Sequence, residues 1–243
     1  MKNIVVKGLA QAAFVNAVFE SCTTSIERMK EGPEEFDQIM QMNHGPYEDF
    51  SFSGRGQLYW VGITDWGKIM NYESDLGFGS YAFQKLSDVH PDATMWGDNN
   101  PSWKDIMQGS AGTCYIEASL GAIAEFPDLV KNVFITQETN PEGIYAFRFY
   151  IRGKPWIVTV DDYFLFKDGS GGSREGVFAK VGPSKQFWAM LLEKAWAKVK
   201  GTYEHADGGF VQNGLRALIG CPVYSYLTSN QNADTVFAVL KRD

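Results

Sequence analysis

Residues 108–120, Gln108-Gly-Ser-Ala-Gly-Thr-Cys114-Tyr-Ile-Glu-Ala-Ser-Leu120, form the stretch that decides the fold. Small residues before Cys114 predict a turn, and the apolar residues after it recur at helical spacing until Pro127. The turn therefore delivers Cys114 to the first turn of a buried helix. Unpaired backbone N–H groups and the positive end of the helix dipole favour a thiolate there, which makes the sulfur nucleophilic. The Gln108 side-chain amide can donate toward the same point and, with the backbone N–H of Cys114, would form an oxyanion hole.

A lone cysteine at the start of an apolar helix is more often structural, because free cysteines behave as small buried hydrophobes. The spacing from Gln108 to Cys114 favours the catalytic interpretation. This segment resembles the nucleophile motif of papain-superfamily peptidases, which have glutamine, small glycine-rich residues and then cysteine at this interval.

Three further segments resemble the calpain branch of that superfamily. They are Trp156-Ile-Val-Thr-Val-Asp-Asp162, the run Phe187-Trp-Ala-Met-Leu-Leu-Glu-Lys-Ala195, and the pair Gly208-Gly209. The resemblance covers roughly residues 95–226 and implies a papain-like α+β fold. It also implies a cysteine endopeptidase that cleaves protein or peptide substrates through an acyl-enzyme.

The resemblance assigns roles to individual residues. It makes Cys114 the nucleophile and Gln108 the oxyanion donor, and it places Gly208 and Gly209 at the cleft wall, where substrate backbone would pair with them. An ordinary turn is the alternative for the two glycines. Tyr115 stands where the family usually has tryptophan, and it would keep an aromatic wall beside the substrate.

The remaining pattern predicts two regions. Residues 1–94 form an N-terminal extension, with a helix at about 5–29 and then an irregular, aromatic-rich stretch that runs from 57 past this boundary to 100. Residues 95–243 form a helical, nucleophile-bearing subdomain. It contains a β-hairpin from alternating aromatic residues at 143–151, a tight connection at 152–154 and a strand at 156–160. Helices are predicted from Pro183 to Gly201 and over residues 211–219.

The sequence departs from the family in its histidines. Calpain-like cores take a histidine base and an orienting asparagine from a second subdomain, and papain-like enzymes place them roughly 130 to 150 residues after the cysteine. His205 is the only histidine after Cys114 and follows it by 91 positions. We therefore predict that His205 is not the base and that the second subdomain is absent from these residues. Either a longer peptidase or a second chain supplies the histidine and asparagine, or the chain is a catalytically inactive scaffold that binds a protein partner.

The resemblance also bears on calcium. Calpain first subdomains bind this ion through an aspartate before the glutamine and a glutamate before Phe-Trp. Asp105 matches the aspartate, but Gln186 replaces the glutamate, and a neutral amide oxygen binds a hard cation less well than a carboxylate. Thiol chemistry requires no cofactor, so a weakened calcium site at Asp105 is the most that we expect.

Composition excludes several classes of function. A hydrophobic content of 44% predicts a folded protein, and a net charge of −7 without a Lys/Arg cluster argues against binding to nucleic acid or anionic membranes. No apolar stretch is long enough to span a membrane. Three widely spaced cysteines make a disulfide framework improbable, so we expect a reducing compartment, the cytoplasm.

Overall fold

Short antiparallel strands and a set of helices make up the described part of the chain. The structure is a computed structural model, and it describes residues 45–58, 81–98, 100–169, 172–226, 229 and 231–242. The strands are β1 (Tyr81–Lys85), β2 (Ile144–Ile151), β3 (Lys154–Asp161), β4 (Tyr163–Asp168) and β5 (Arg174–Gly176). The helices are α1 (Leu86–Val89), α2 (Cys114–Ile123), α3 (Pro127–Val133), α4 (Trp188–Lys200), α5 (Tyr203–Ala206), α6 (Val211–Ile219) and α7 (Ala233–Arg242), with 3-10 turns at Gly54–Gln57 and Trp103–Asp105. This mixture confirms the predicted α+β class.

Part of the predicted N-terminal region lies outside these ranges. The helix expected at residues 5–29 is not among the described residues, and neither are residues 59–80 of the aromatic-rich stretch. Among the helices that are described, none combines the length and the apolar character needed to cross a bilayer.

The β2–β3 hairpin is confirmed. Tyr145, Phe147 and Phe149 alternate along β2 and are 0–1% exposed, because this face packs into the core. The connection is two residues long, Arg152 and Gly153, and both have positive φ, 52° and 77°. Two consecutive positive φ angles are typical of the type I′ turn, whose twist matches that of the paired strands.

A second sheet has the order β1-β4-β5, with both pairs antiparallel. The sequence pattern did not predict these strands, which are short and, for β1 and β4, far apart in the chain. Tyr81 pairs with Lys167 and Lys85 with Tyr163. A strand before residue 95 thus packs with a strand of the nucleophile-bearing region. The boundary near residue 95 stays a prediction.

Helix α4 is the central element of the core. Its residues from Trp188 to Ala197 are all buried, so the helix is enclosed around its whole circumference. The prediction that it starts at Pro183 was wrong, because Lys185 has a left-handed φ of 63° and the next residue, Gln186, bridges to Thr94. Those contacts hold residues 183–187 outside the helix. The predicted end at Gly201 is confirmed, with a φ of 99°.

Buried ion pairs fasten the segment before β1 to α4. Lys194 is fully buried and contacts Asp161 at the end of β3. One turn later Lys198 contacts Oδ2 of Asp49 at 2.5 Å, and the backbone N–H of Asp49 donates to the second oxygen of Asp161 at 2.7 Å. Two lysines of one helix thereby hold both β3 and the 45–58 segment.

Candidate active site

Cys114 is the first residue of α2, and its side chain is exposed. Thr113 occupies the N-cap position, and its carbonyl oxygen accepts from the N–H groups of Ile116 at 3.0 Å and Glu117 at 3.2 Å. The predicted placement of the cysteine at a helix start is confirmed. Pro127 does not end this helix directly. The helix closes at Ile123, and the proline opens α3 instead.

Residues 107–113 lead into Cys114 and are called the nucleophile loop, after the predicted role of that cysteine. This loop runs between two close segments. A Cβ on Gly109 would lie 1.7 Å from the carbonyl oxygen of Phe178, and a Cβ on Gly112 would lie 1.7 Å from Oδ1 of Asp207. Real Cβ atoms essentially never approach other heavy atoms within 3.0 Å. Glycine is therefore required at 109, where the contact is with backbone, whereas a side chain at 112 would require the Asp207 carboxylate to move.

Gln108 lies at the start of this loop, and its side chain is exposed. Its Nε2 donates to the carbonyl oxygen of Ala111 at 3.1 Å. A glutamine amide has two N–H donors, and this bond uses one of them. The contact folds the side chain over the loop that leads to Cys114.

The two glycines predicted at the cleft wall adjoin the nucleophile loop. The backbone N–H of Gly208 donates to the carbonyl oxygen of Gly112 at 2.8 Å. Gly112 is two residues before Cys114, so this bond holds the glycine pair against the loop that leads to the cysteine. Gly209 lies against the ring of Tyr115, where a Cβ would come within 2.6–2.8 Å of three ring carbons. Gly208 and Gly209 are both exposed.

The buried ring of Tyr115 packs against Gly209. Its side chain is 4% exposed, and its hydroxyl oxygen accepts a hydrogen bond from Nε1 of Trp196 at 2.7 Å. The two rings meet edge to face, with centroids 6.4 Å apart. Burial raises the pKa of the Tyr115 hydroxyl. The tyrosine thus forms the floor beneath the glycine pair.

Comparison with known proteins identifies the family of this arrangement. The family model for calpain family cysteine proteases matches residues 77–243, which is more than half of the chain. The chain belongs to the calpain family. It is 37% identical over 124 residues to the calpain-type cysteine protease DEK1 of Arabidopsis thaliana, a match covering 51% of this chain and 5% of the relative. It is 33% identical over 120 residues to the calpain-2 catalytic subunit of Homo sapiens, covering 48% and 16%. The chain thus spans only a small part of the length of these relatives.

Next to the N-cap of α2 lies a buried carboxylate, Glu193, which the sequence indicated only as part of a family segment. Glu193 is 1% exposed and accepts two hydrogen bonds, from Oγ1 of Thr113 at 2.5 Å and from the N–H of Ala179 at 2.7 Å. Burial raises the pKa of Glu193 to about 7, although the two hydrogen bonds lower it. Its partners are 80 and 14 residues away in sequence, so no local pattern could have revealed them.

Glu117, in the first turn of α2, is also buried. It is 5% exposed, and its Oε1 has no hydrogen-bond partner. Burial and, to a smaller extent, the negative charge of Glu193 together raise the pKa of Glu117 to about 8. A carboxyl group in this environment is protonated at neutral pH.

The carboxylate of Asp105 is surrounded by hydrogen-bond donors. Oδ1 accepts from Nε2 of Gln186 at 2.5 Å, while Oδ2 accepts from Nε1 of Trp188 at 2.9 Å and the N–H of Ser102 at 2.8 Å. Calcium requires oxygen ligands, and within the described residues no cluster of three His, Cys, Asp or Glu side chains could hold a metal ion. In this arrangement Asp105 and Gln186 are joined by a hydrogen bond, and the weakened calcium site expected at Asp105 stays a prediction.

His205 lies in α5, half-buried, with its backbone N–H donating to Oγ1 of Thr202 at 3.1 Å. Thr202 is the N-cap of that short helix, so the bond is a local helix cap. The expectation that His205 is not the general base stays a prediction.

Proposed function

We propose that this chain carries the nucleophile of a calpain-type cysteine endopeptidase. The observation that carries the proposal is the exposed thiol of Cys114 at the start of α2, beside Gln108 and the Gly208–Gly209 pair. Thiol attack on a peptide carbonyl needs an accessible sulfur and an amide donor, and exposed backbone nearby can pair with the substrate.

In the proposed reaction the Cys114 thiolate attacks the peptide carbonyl carbon, and a carbon–sulfur bond forms. The negative charge that develops on the carbonyl oxygen is held by the Gln108 amide and the backbone N–H of Cys114. The carbon–nitrogen bond then breaks, the amine leaves with a proton from the general acid, and water hydrolyses the thioester. Gly208 and Gly209 would orient the substrate backbone.

The proton transfers require a histidine oriented by an asparagine. We propose that a second subdomain or a second chain supplies both, in the manner of the family. Without them the thiol would react with electrophiles but turn over peptides hardly at all.

The proposed chemistry needs no cofactor. We further propose that the nucleophile loop is assembled without calcium, because the Gln186 amide hydrogen-bonds directly to the Asp105 carboxylate. The two exposed free thiols among the described residues, Cys114 and Cys221, support a reducing compartment, and we propose the cytoplasm.

An epoxysuccinyl peptide, a thiol probe for papain-type sites, tests the proposed function. After partial labelling, mass spectrometry measures modification of Cys114 and of Cys221, which is also exposed and serves as an internal reference. We expect Cys114 to be labelled faster than Cys221. In Cys114→Ala we expect only the slow labelling of Cys221. Equal labelling of both thiols would contradict the proposal and favour a non-catalytic scaffold.

A further inference from the structure

Thr113 makes an unusual contact for a helix N-cap. A threonine at this position ordinarily accepts a hydrogen bond from a backbone N–H of its own helix. Here the hydroxyl makes no such bond and instead donates to Oε1 of Glu193 on α4. The residue directly before Cys114 is therefore fastened to the core helix through its side chain.

The second oxygen of Glu193 fastens another segment. It accepts the N–H of Ala179, which lies between Val177 and Lys180. The carbonyl oxygen of Val177 accepts the N–H of Ser110, and the N–H of Lys180 donates to the carbonyl oxygen of Met107, both at 2.8 Å. The 177–180 segment thus holds the nucleophile loop at its start and middle, while Glu193 links that segment to the loop's end.

The three residues joined by these hydrogen bonds are buried. Thr113, Ala179 and Glu193 are 0%, 2% and 1% exposed. Among the ion pairs of the described residues, none includes Glu193. A buried carboxylate without a cation is unfavourable for stability, so its two directed hydrogen bonds indicate a role in holding geometry.

We propose that Glu193 is a positioning residue: through Thr113 and Ala179 it fixes the loop that presents Cys114. The inference deepens the proposed function and rests on it. Glu193 itself does not contact the substrate. It sets the direction in which the thiol and the neighbouring backbone N–H groups point.

The test compares Thr113→Val with Thr113→Ser. Valine has nearly the shape of threonine but lacks the hydroxyl that donates to Glu193, whereas serine keeps it. Val130→Ala, a buried change on α3, serves as a control for simple loss of stability. All variants are measured well below their melting temperatures.

Two measurements are made on each variant. Hydrogen–deuterium exchange of the peptide covering residues 108–114 should be faster in Thr113→Val alone. Labelling of Cys114 by the epoxysuccinyl peptide, relative to Cys221, should fall about 10- to 100-fold in Thr113→Val, because small misplacements of reacting groups have effects of this size. Thr113→Ser should restore both values nearly to those of the native chain.

Equal exchange in the valine and serine variants would overturn the inference, and so would an equal response of Val130→Ala. A native chain without selective labelling would count against the proposed function alone, since the exchange comparison does not depend on a reactive thiol.

Discussion

Gly209 has no room for a side chain, because a Cβ at this position would come within 2.6–2.8 Å of the Tyr115 ring beneath it. Gly209→Ala should destabilise the chain by about 1–3 kcal/mol, the usual effect of overpacking. It should also slow peptide-probe labelling of Cys114, since the displaced backbone lies beside the nucleophile loop. Urea unfolding and probe kinetics measure the two effects.

Gly121→Ala is the matched control for that change. Gly121 lies within α2, and its nearest contacts to an added Cβ, Ile106 and Trp103, are at 3.8 and 3.9 Å. Alanine should be tolerated there and stabilise the helix by up to about 1 kcal/mol. If both substitutions have the same effect, the Tyr115 ring does not constrain Gly209.

Glu117 should make stability depend on pH. In the folded chain burial raises the pKa of Glu117 to about 8, from an ordinary value of 4.5. Between these values the folded state binds more protons than the unfolded state, so stability falls as pH rises. The loss from this group by pH 7 should be roughly 3 kcal/mol.

Glu117→Gln removes this titration. The native chain should lose stability relative to the variant as pH rises from 5 to 8, which urea unfolding at a series of pH values would detect. Parallel curves for the two proteins would contradict the buried, protonated state.

The candidate site residues that could be predicted from the sequence belong to one contiguous motif. Cys114 and Gln108 share one segment, whereas the requirement for glycine at 109 can be seen only once the contact with the Phe178 backbone is known. The Glu193 contacts could not be predicted, because hydrogen bonding between α4 and the nucleophile loop depends on tertiary packing. Tyr115 illustrates the same point, since burial beneath Gly209 depends on a segment more than ninety residues away.

At the scale of elements, the contact between the 3-10 turn at Trp103–Asp105 and the segment before α4 is held by the Gln186 amide. Gln186→Glu would place two carboxylates against each other, and a hard cation could then bridge them. We expect this variant in EDTA to melt at a lower temperature than the native chain, and to recover in millimolar calcium. The native melting temperature should not respond to calcium.

Gln84→Glu controls for the chemistry of that substitution. The Oε1 of Gln84 accepts from Nε of Arg174 at 3.0 Å, so a carboxylate there faces a cation already. This variant should be insensitive to calcium. Stabilisation of the native chain by calcium, measured in the same thermal scans, would refute assembly without the ion.

The elements themselves divide by the range of their interactions. The β2–β3 hairpin was predictable because its alternation and its turn are local. The β1–β4 pair was not, since Lys85 and Tyr163 meet only in the folded chain. The start of α4 was misplaced because helix propensity near Pro183 is overridden by the backbone bridge between Gln186 and Thr94.

At the scale of the whole molecule, the Lys194–Asp161 pair joins α4 to β3 at a fully buried point. Lys194→Met would leave Asp161 charged and uncompensated in the core. We expect a loss of about 3–5 kcal/mol in the free energy of unfolding. Chemical denaturation followed by tryptophan fluorescence measures it.

Lys185→Met is the exposed counterpart. Lys185 pairs with Asp92, and the two side chains are 61% and 60% exposed. Surface pairs contribute at most about 1 kcal/mol, so this variant should unfold close to the native midpoint. Equal losses in the two lysine variants would show that the buried pair does not hold the segments together.

The exposed tip of the β2–β3 hairpin is a place where the backbone could be cut. Arg152 and Gly153 face solvent, and an added Cβ on Gly153 meets nothing within 4 Å. A cut there would place Cys114 on one fragment and the Gly208–Gly209 pair on the other. Pairing of β2 with β3 would then have to bring the two fragments together. The cleft could then be rebuilt from two separately made pieces, so that its recovery would report their association.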